Sequence, residues 1–103
     1  MKEKTIVLDF TGCKTCSDVH EQIRVAMDFP EWYGANLDAF WDMLRTECDA
    51  TKLVIKGVEG FSKDLNSYMT KIYGILDRCV AERSAAAEKY QQILPLVYEF
   101  EDK

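Results

Sequence analysis

Thr5-Ile6-Val7-Leu8-Asp9-Phe10, then Thr11-Gly12-Cys13-Lys14-Thr15-Cys16, then Ser17 to Met27: the reading of this opening stretch decides the fold. The β-branched, mostly apolar run from Thr5 to Phe10, bounded by Lys4 and Gly12, predicts a buried strand. Thr15 and Ser17 offer hydroxyl caps, Asp18 stands three residues after Thr15 as in a capping box, and Val19, Ile23, Ala26 and Met27 recur at helical spacing. A helix over about Ser17 to Met27 follows. Working outward, Asn36 is placed to cap a second helix whose apolar stripe is Leu37, Phe40, Trp41, Leu44 and Cys48. Leu53-Val54-Ile55, closed by Gly57 and Gly60, predicts the second strand. Leu65, Met69, Ile72, Leu76 and Cys79 then mark a long third helix reaching about Ala87, with Gly74 the point where it could bend. Ile93 to Phe100 is the last apolar segment. Pro95 removes a ladder donor there, so the third strand lies at an edge or begins after the proline. Strands separated by helices predict an α/β fold with a small parallel sheet, and only three strands predict two layers.

The chain has 103 residues, enough for one domain over 1–103. Hydrophobic residues make up 48% and charged residues 30%, so it buries a core rather than staying disordered. Net charge is -5 and the sequence pI about 4.8, which argues against a surface that tracks nucleic-acid phosphates and for a basic protein as partner. No apolar run approaches the roughly 20 residues that span a bilayer. Nor does Met1-Lys2-Glu3-Lys4 lead into the apolar core of a signal peptide, so a cytoplasmic location is expected. Cys13, Cys16, Cys48 and Cys79 are then expected as reduced thiols.

Two chemical readings attach to those cysteines. Cys13-Lys14-Thr15-Cys16 is a C-x-x-C between a strand and a helix start, where the helix N-terminus would favour a thiolate and disulfide exchange. Against it, Gly12 rather than an aromatic precedes Cys13. Cys13, Cys16 and His20 have passable zinc spacing, but a fourth ligand would have to be Cys48 or Cys79, both on apolar helix faces. The expectation is no metal, no cofactor and no catalytic group, with Cys48 and Cys79 as small core residues and His20 packed or partly exposed.

The second helix is more informative. With Leu37 at zero on a helical wheel, Asp38 falls at about 100° and Asp42 at about 140°, on one solvent-side face. As an i, i+4 pair their like charges repel by a few tenths of a kcal/mol. Asp38 suits the helix dipole in the first turn, whereas Asp42 sits in the interior, where Asp is a poor helix former. Arg45, three residues on, offsets part of that charge. Trp32, Tyr33 and Gly34 lie just before Asn36, so aromatics, a permissive glycine and two acids converge on one helix entry, a combination typical of binding hot spots. Trp41, at about 40°, is mostly a core residue with one edge exposed, and Trp32 is the better candidate for direct contact.

The run Phe29-Pro-Glu-Trp-Tyr-Gly-Ala-Asn-Leu-Asp-Ala-Phe-Trp-Asp-Met-Leu44 resembles the signature of the barstar family, in which a Pro-Glu-aromatic-Tyr-Gly loop leads into Asn-Leu-Asp-Ala-hydrophobic-Trp-Asp. Ser17-Asp-Val-His20 resembles that family's Ser-Asp-Leu-His at the same distance from the proline, so the likeness runs from about Ser17 to Leu44 without a gap. The resemblance implies a small intracellular inhibitor of a secreted microbial ribonuclease, with a three-stranded parallel sheet in order 1-2-3 packed on helices. It implies that Asp42 is the principal inhibitory carboxylate, standing where a substrate phosphate would, and that Asp38 pairs with basic residues of the enzyme. Trp32 and Tyr33 match the loop aromatics, and Gly34, Asn36, Leu37 and Trp41 match contact or support positions. The implied partner is a basic ribonuclease, bound by a monomer without nucleic-acid or membrane contact; the alternative is a barstar-like immunity module for a different basic toxin. Arg45-Thr46-Glu47 departs from the family's Thr-Gly-Trp, losing a glycine and an aromatic and adding a cation beside Asp42. The family's further acid on a later helix has no motif match, although Asp77 and Glu82 are available there.

Overall fold

A computed structural model describes residues 3–101. The elements follow in the order β1 (Thr5–Asp9), α1 (Cys16–Met27), α2 (Leu37–Thr46), β2 (Lys52–Lys56), α3 (Lys63–Lys89) and β3 (Val97–Phe100). The three strands form one parallel sheet in the order β1-β2-β3. Val7 pairs with Val54 and Leu53 with Tyr98, which sets the register. The third strand begins two residues after Pro95 and lies at the sheet edge, as a residue lacking an N–H requires.

Strand alternation decides where the core sits. Ile6, Leu8 and Phe10 of the first strand segment and Leu53 and Ile55 of β2 point to one face, where they meet Val19 and Ile23 of α1, Phe40 and Leu44 of α2, and Leu65, Met69, Ile72 and Leu76 of α3. The other face is open. The expected buried β1 is therefore corrected to a half-buried one: Val7 is 46% exposed, because all three helices pack on the opposite face of the sheet. Lys52 with Glu99, and Lys56 with Asp9 and Glu101, bridge strands across that open face. Such exposed pairs add little stability, but they give the bare side a charged cover.

Local chemistry fixes the helix ends. The capping box is present: Thr15 Oγ1 accepts from the Asp18 N–H at 3.1 Å, and the Asp18 carboxylate accepts from the Thr15 and Lys14 N–H groups. Those backbone donors, that of Lys14 above all, hold the Asp18 carboxyl below its usual range. Helix α2 is rotated from the expected stripe. Phe40, Met43 and Leu44 are buried while Leu37 and Trp41 are only partly so, and Cys48 lies beyond the last turn. Met43 is as apolar as the residues chosen for the stripe, and the packing centre shifts toward it. Helix α3 runs unbroken through Gly74 and ends two residues later than expected.

At the C-terminal end of the sheet, the Asp9 carboxylate accepts from both the N–H and the hydroxyl of Thr11, while Gly57 adopts φ +79° against the same turn. A Cβ on Gly57 would sit 2.3 Å from the Thr11 nitrogen. Gly57→Ala is therefore expected to lower the free energy of unfolding by at least about 1–2 kcal/mol, from the left-handed backbone alone. Leu8→Ala, which empties a fully buried site, should cost about 2–5 kcal/mol. Urea unfolding midpoints measure both, and an unchanged midpoint for Gly57→Ala would contradict the clash.

Candidate functional site

The candidate surface is built on the segment between α1 and α2. Helix α1 stops at Asp28, whose left-handed φ of 57° lets the Phe29 N–H return to the Arg24 carbonyl at 2.9 Å. Pro30 then turns the chain, with the Tyr33 N–H donating to its carbonyl at 3.0 Å. Asn36 closes the loop in two directions. Its Oδ1 accepts the Ala39 N–H at 2.8 Å to cap α2, and its Nδ2 donates to the Gly34 carbonyl at 3.2 Å. The left-handed residue in this loop is Ala35, at φ 53°, and not the glycine the sequence suggested. Gly34 serves close approach, since a Cβ there would lie 3.2 Å from that of Ala39.

Beneath the loop lies His20, fully buried on α1. Its Nδ1 is 2.6 Å from the Tyr33 hydroxyl and its Nε2 2.5 Å from the Tyr68 hydroxyl on α3. Burial pushes the imidazole pKa down, so the ring is neutral and carries one proton. One hydroxyl must therefore donate to it and the other accept from it. The buried Tyr33 hydroxyl is the better donor, because Tyr68, only partly buried, can direct its own proton to solvent. Tyr33 itself is 7% exposed and packs on Phe29 at 5.4 Å between ring centroids. Its side chain, expected at the surface, is therefore buried as an anchor under the loop.

The remaining candidates lie on the loop and on α2. Trp32 is 75% exposed at the loop, and Asp38 and Asp42 project from α2 opposite the buried Phe40–Met43–Leu44 side. The rotation of α2 turns the two acids more squarely outward than the expected stripe implied. Among the described residues neither carboxylate meets an ion-pair or hydrogen-bond partner, while the backbone carbonyl of Asp42 accepts from the Thr46 hydroxyl at 2.8 Å. Trp41 is half-buried at the α2–α3 seam, with the guanidinium carbons of Arg78 and Arg45 at 4.5 and 5.4 Å from its ring centroid. Leu37 packs on the core edge as a support residue.

The cysteine chemistry fares differently. Burial, then the carboxylates of Asp18 and Asp9, push the Cys13 thiol up rather than toward thiolate, the reverse of what disulfide exchange needs. Both nitrogens of His20 are engaged by tyrosines, so neither is free for zinc. Cys79 is buried, its thiol pushed up to about 11 by burial.

The candidate surface is thus an exposed acidic helix face and an aromatic loop, carried on a three-stranded parallel sheet. The chain belongs to the Barstar (barnase inhibitor) family, whose family model matches residues 3–96. It is also similar to the Bacillus subtilis (strain 168) protein named "Putative ribonuclease inhibitor YrdF", being 30% identical over 80 residues, 77% of this chain and 88% of that protein. Members of this family are inhibitors and not enzymes, which retires the disulfide-exchange reading. Among the described residues no helix is long and apolar enough to cross a membrane.

Sequence reasoning missed Tyr68, Arg78 and Arg83. Arg83 donates to the carbonyls of Ala50 and Leu94 and so ties α3 to two loops. All three lie on α3 and act on segments at least 11 residues away in sequence, beyond the reach of any local motif.

The buried imidazole sets the pH response. The unfolded chain takes up the proton near the ordinary histidine value of 6.5, the folded protein only at lower pH. The stability this provides is complete above pH 6.5 and is lost as pH falls through the folded value. NMR titration of the His20 ring should give a pKa below 6.5, and urea midpoints should decline as pH is lowered from 7 to 5. A His20 pKa at or above 6.5 would contradict this.

Proposed function

We propose that the chain, a single barstar-like module over residues 1–103, is a cytoplasmic, monomeric inhibitor of a barnase-type ribonuclease that acts by occluding the cationic active site. The observation that carries this reading is the pair of unpaired carboxylates on one exposed helix face, Asp38 and Asp42, beside an aromatic that is three-quarters exposed. A ribonuclease must hold phosphate, so its site is cationic. Asp42 would take the place of a phosphate there, and Asp38 would pair with a neighbouring cation. Trp32 would supply apolar contact area, while Gly34, Asn36 and Leu37 hold the loop and the helix start in place and Trp41 supports the seam. No covalent step is involved. Family membership and the name of the B. subtilis relative support the target class.

Electrostatics would serve both encounter and fit. A chain of net charge -5 is drawn to a basic enzyme at a rate that falls with ionic strength. Once docked, Asp42 loses water and exchanges it for fixed donors, so its deletion strands the enzyme's cations. Asp42→Ala is expected to raise Kd for a barnase-type ribonuclease by about a hundredfold or more, the general range for removing one partner of a desolvated charge pair. Calorimetric titration at low and moderate salt measures this, and an unchanged Kd would sink the mechanism. Trp32→Ala should weaken binding with little change in the urea midpoint, because its side chain is outside the core.

A further inference from the structure

The acidic face does not end in neutral surface. Following α2 from Asp38 and Asp42, the next exposed charge is Arg45, one turn beyond Asp42. Beside it stands Arg78, brought from α3 onto the same tryptophan, its guanidinium carbon 4.5 Å from the Trp41 ring centroid and that of Arg45 at 5.4 Å. Stacking on an aromatic face fixes where a guanidinium sits but leaves its charge in place. Arg78 has no carboxylate within 4 Å among the described residues, and Arg45 reaches only Glu82, at 3.9 Å, with both side chains more than half exposed. Of the acids of α3, Glu82 lies at the seam beside Arg45 and offsets part of its charge, leaving Arg78 the cation without a carboxylate there, while Asp77 accepts from the Tyr98 hydroxyl at 2.5 Å on the side of β3. The face is therefore bipolar, negative over the α2 entry and positive over the α2–α3 seam.

We infer that Arg45 and Arg78 are the specificity determinants of this face, selecting a ribonuclease whose cationic cleft is bordered by a carboxylate on the side that meets α3. The inference rests on the inhibitor reading above and narrows its target. A cleft with an all-basic rim would set like charges against Arg45 and Arg78, and juxtaposed like charges in an interface cost affinity steeply. A rim carboxylate would meet a guanidinium already held in position by Trp41, with little side-chain freedom left to lose.

The test is a charge exchange read by titration calorimetry. The natural chain, an R45Q/R78Q double variant, an R45E/R78E double variant and Asp42→Ala are each titrated into a barnase-type ribonuclease with a basic rim. The glutamine pair retains chain length, so it serves if the glutamate pair fails to fold. Neutralisation is expected to tighten binding to this enzyme by about tenfold, and reversal by about a hundredfold. Variants of the enzyme carrying Lys→Glu or Arg→Glu at single rim positions should include one that reverses the order and prefers the natural chain. Unchanged or weaker binding of both arginine variants, with Asp42→Ala still damaging, overturns the selector role and leaves the inhibitor reading intact. If Asp42→Ala has no effect, or no variant binds, the inhibitor reading fails and this inference with it.

Discussion

A neutral imidazole held between two phenolic hydroxyls is the contact on which the binding face depends. His20 sits at the base of the loop that carries Trp32 and Gly34, and its two nitrogens join that loop, through Tyr33, to α3, through Tyr68. The rings of Phe40 and Tyr68 pack edge to face on the imidazole, and that of Tyr33 lies tilted against it. Among the described residues no other buried side chain bonds to both the loop and α3. The burial that depresses the histidine pKa is the same burial that makes the bonds strong, since a polar group away from water either finds its partners or is costly. Every buried side-chain polar atom among the described residues has a partner.

Much of this was readable in the chain. The strands, the capping box of α1, the asparagine cap of α2 and the late start of β3 follow from patterns within a few residues, and so do Asp38 and Asp42 on one face. What escaped the reading came from two sources. One is packing that overrides a wheel drawn on a single helix: Met43 is drawn into the core and shifts the burial centre of α2 by a fraction of a turn. The other is distance in sequence. That Tyr33 would face inward depends on Tyr68 and His20 closing a cluster across 48 residues, and that Trp41 would be covered by a cation depends on Arg78. The positive φ falls on Ala35 although Gly34, the permissive residue, stands beside it.

The exposed cations Arg45 and Arg78 sit outside the segment that carries the family signature. The segment from Phe29 to Leu44 holds the loop and the helix entry, which are fixed by internal hydrogen bonds and therefore constrained. Beyond Leu44 the surface is made of long exposed side chains resting on Trp41, and these can change sign without disturbing the core. The constrained segment and the exposed charges that follow it are thus adjacent but separable parts of the surface.

The double use of Asn36 has a consequence for how tightly such a surface can hold anything. One side chain both starts α2 and fastens the loop to its own backbone, while Ala35 accepts an uncommon backbone angle to make that possible. The shape presented to a partner is therefore settled when the chain folds. Association then has little loop disorder left to remove, and differences between partners register chiefly as how long a complex survives once formed.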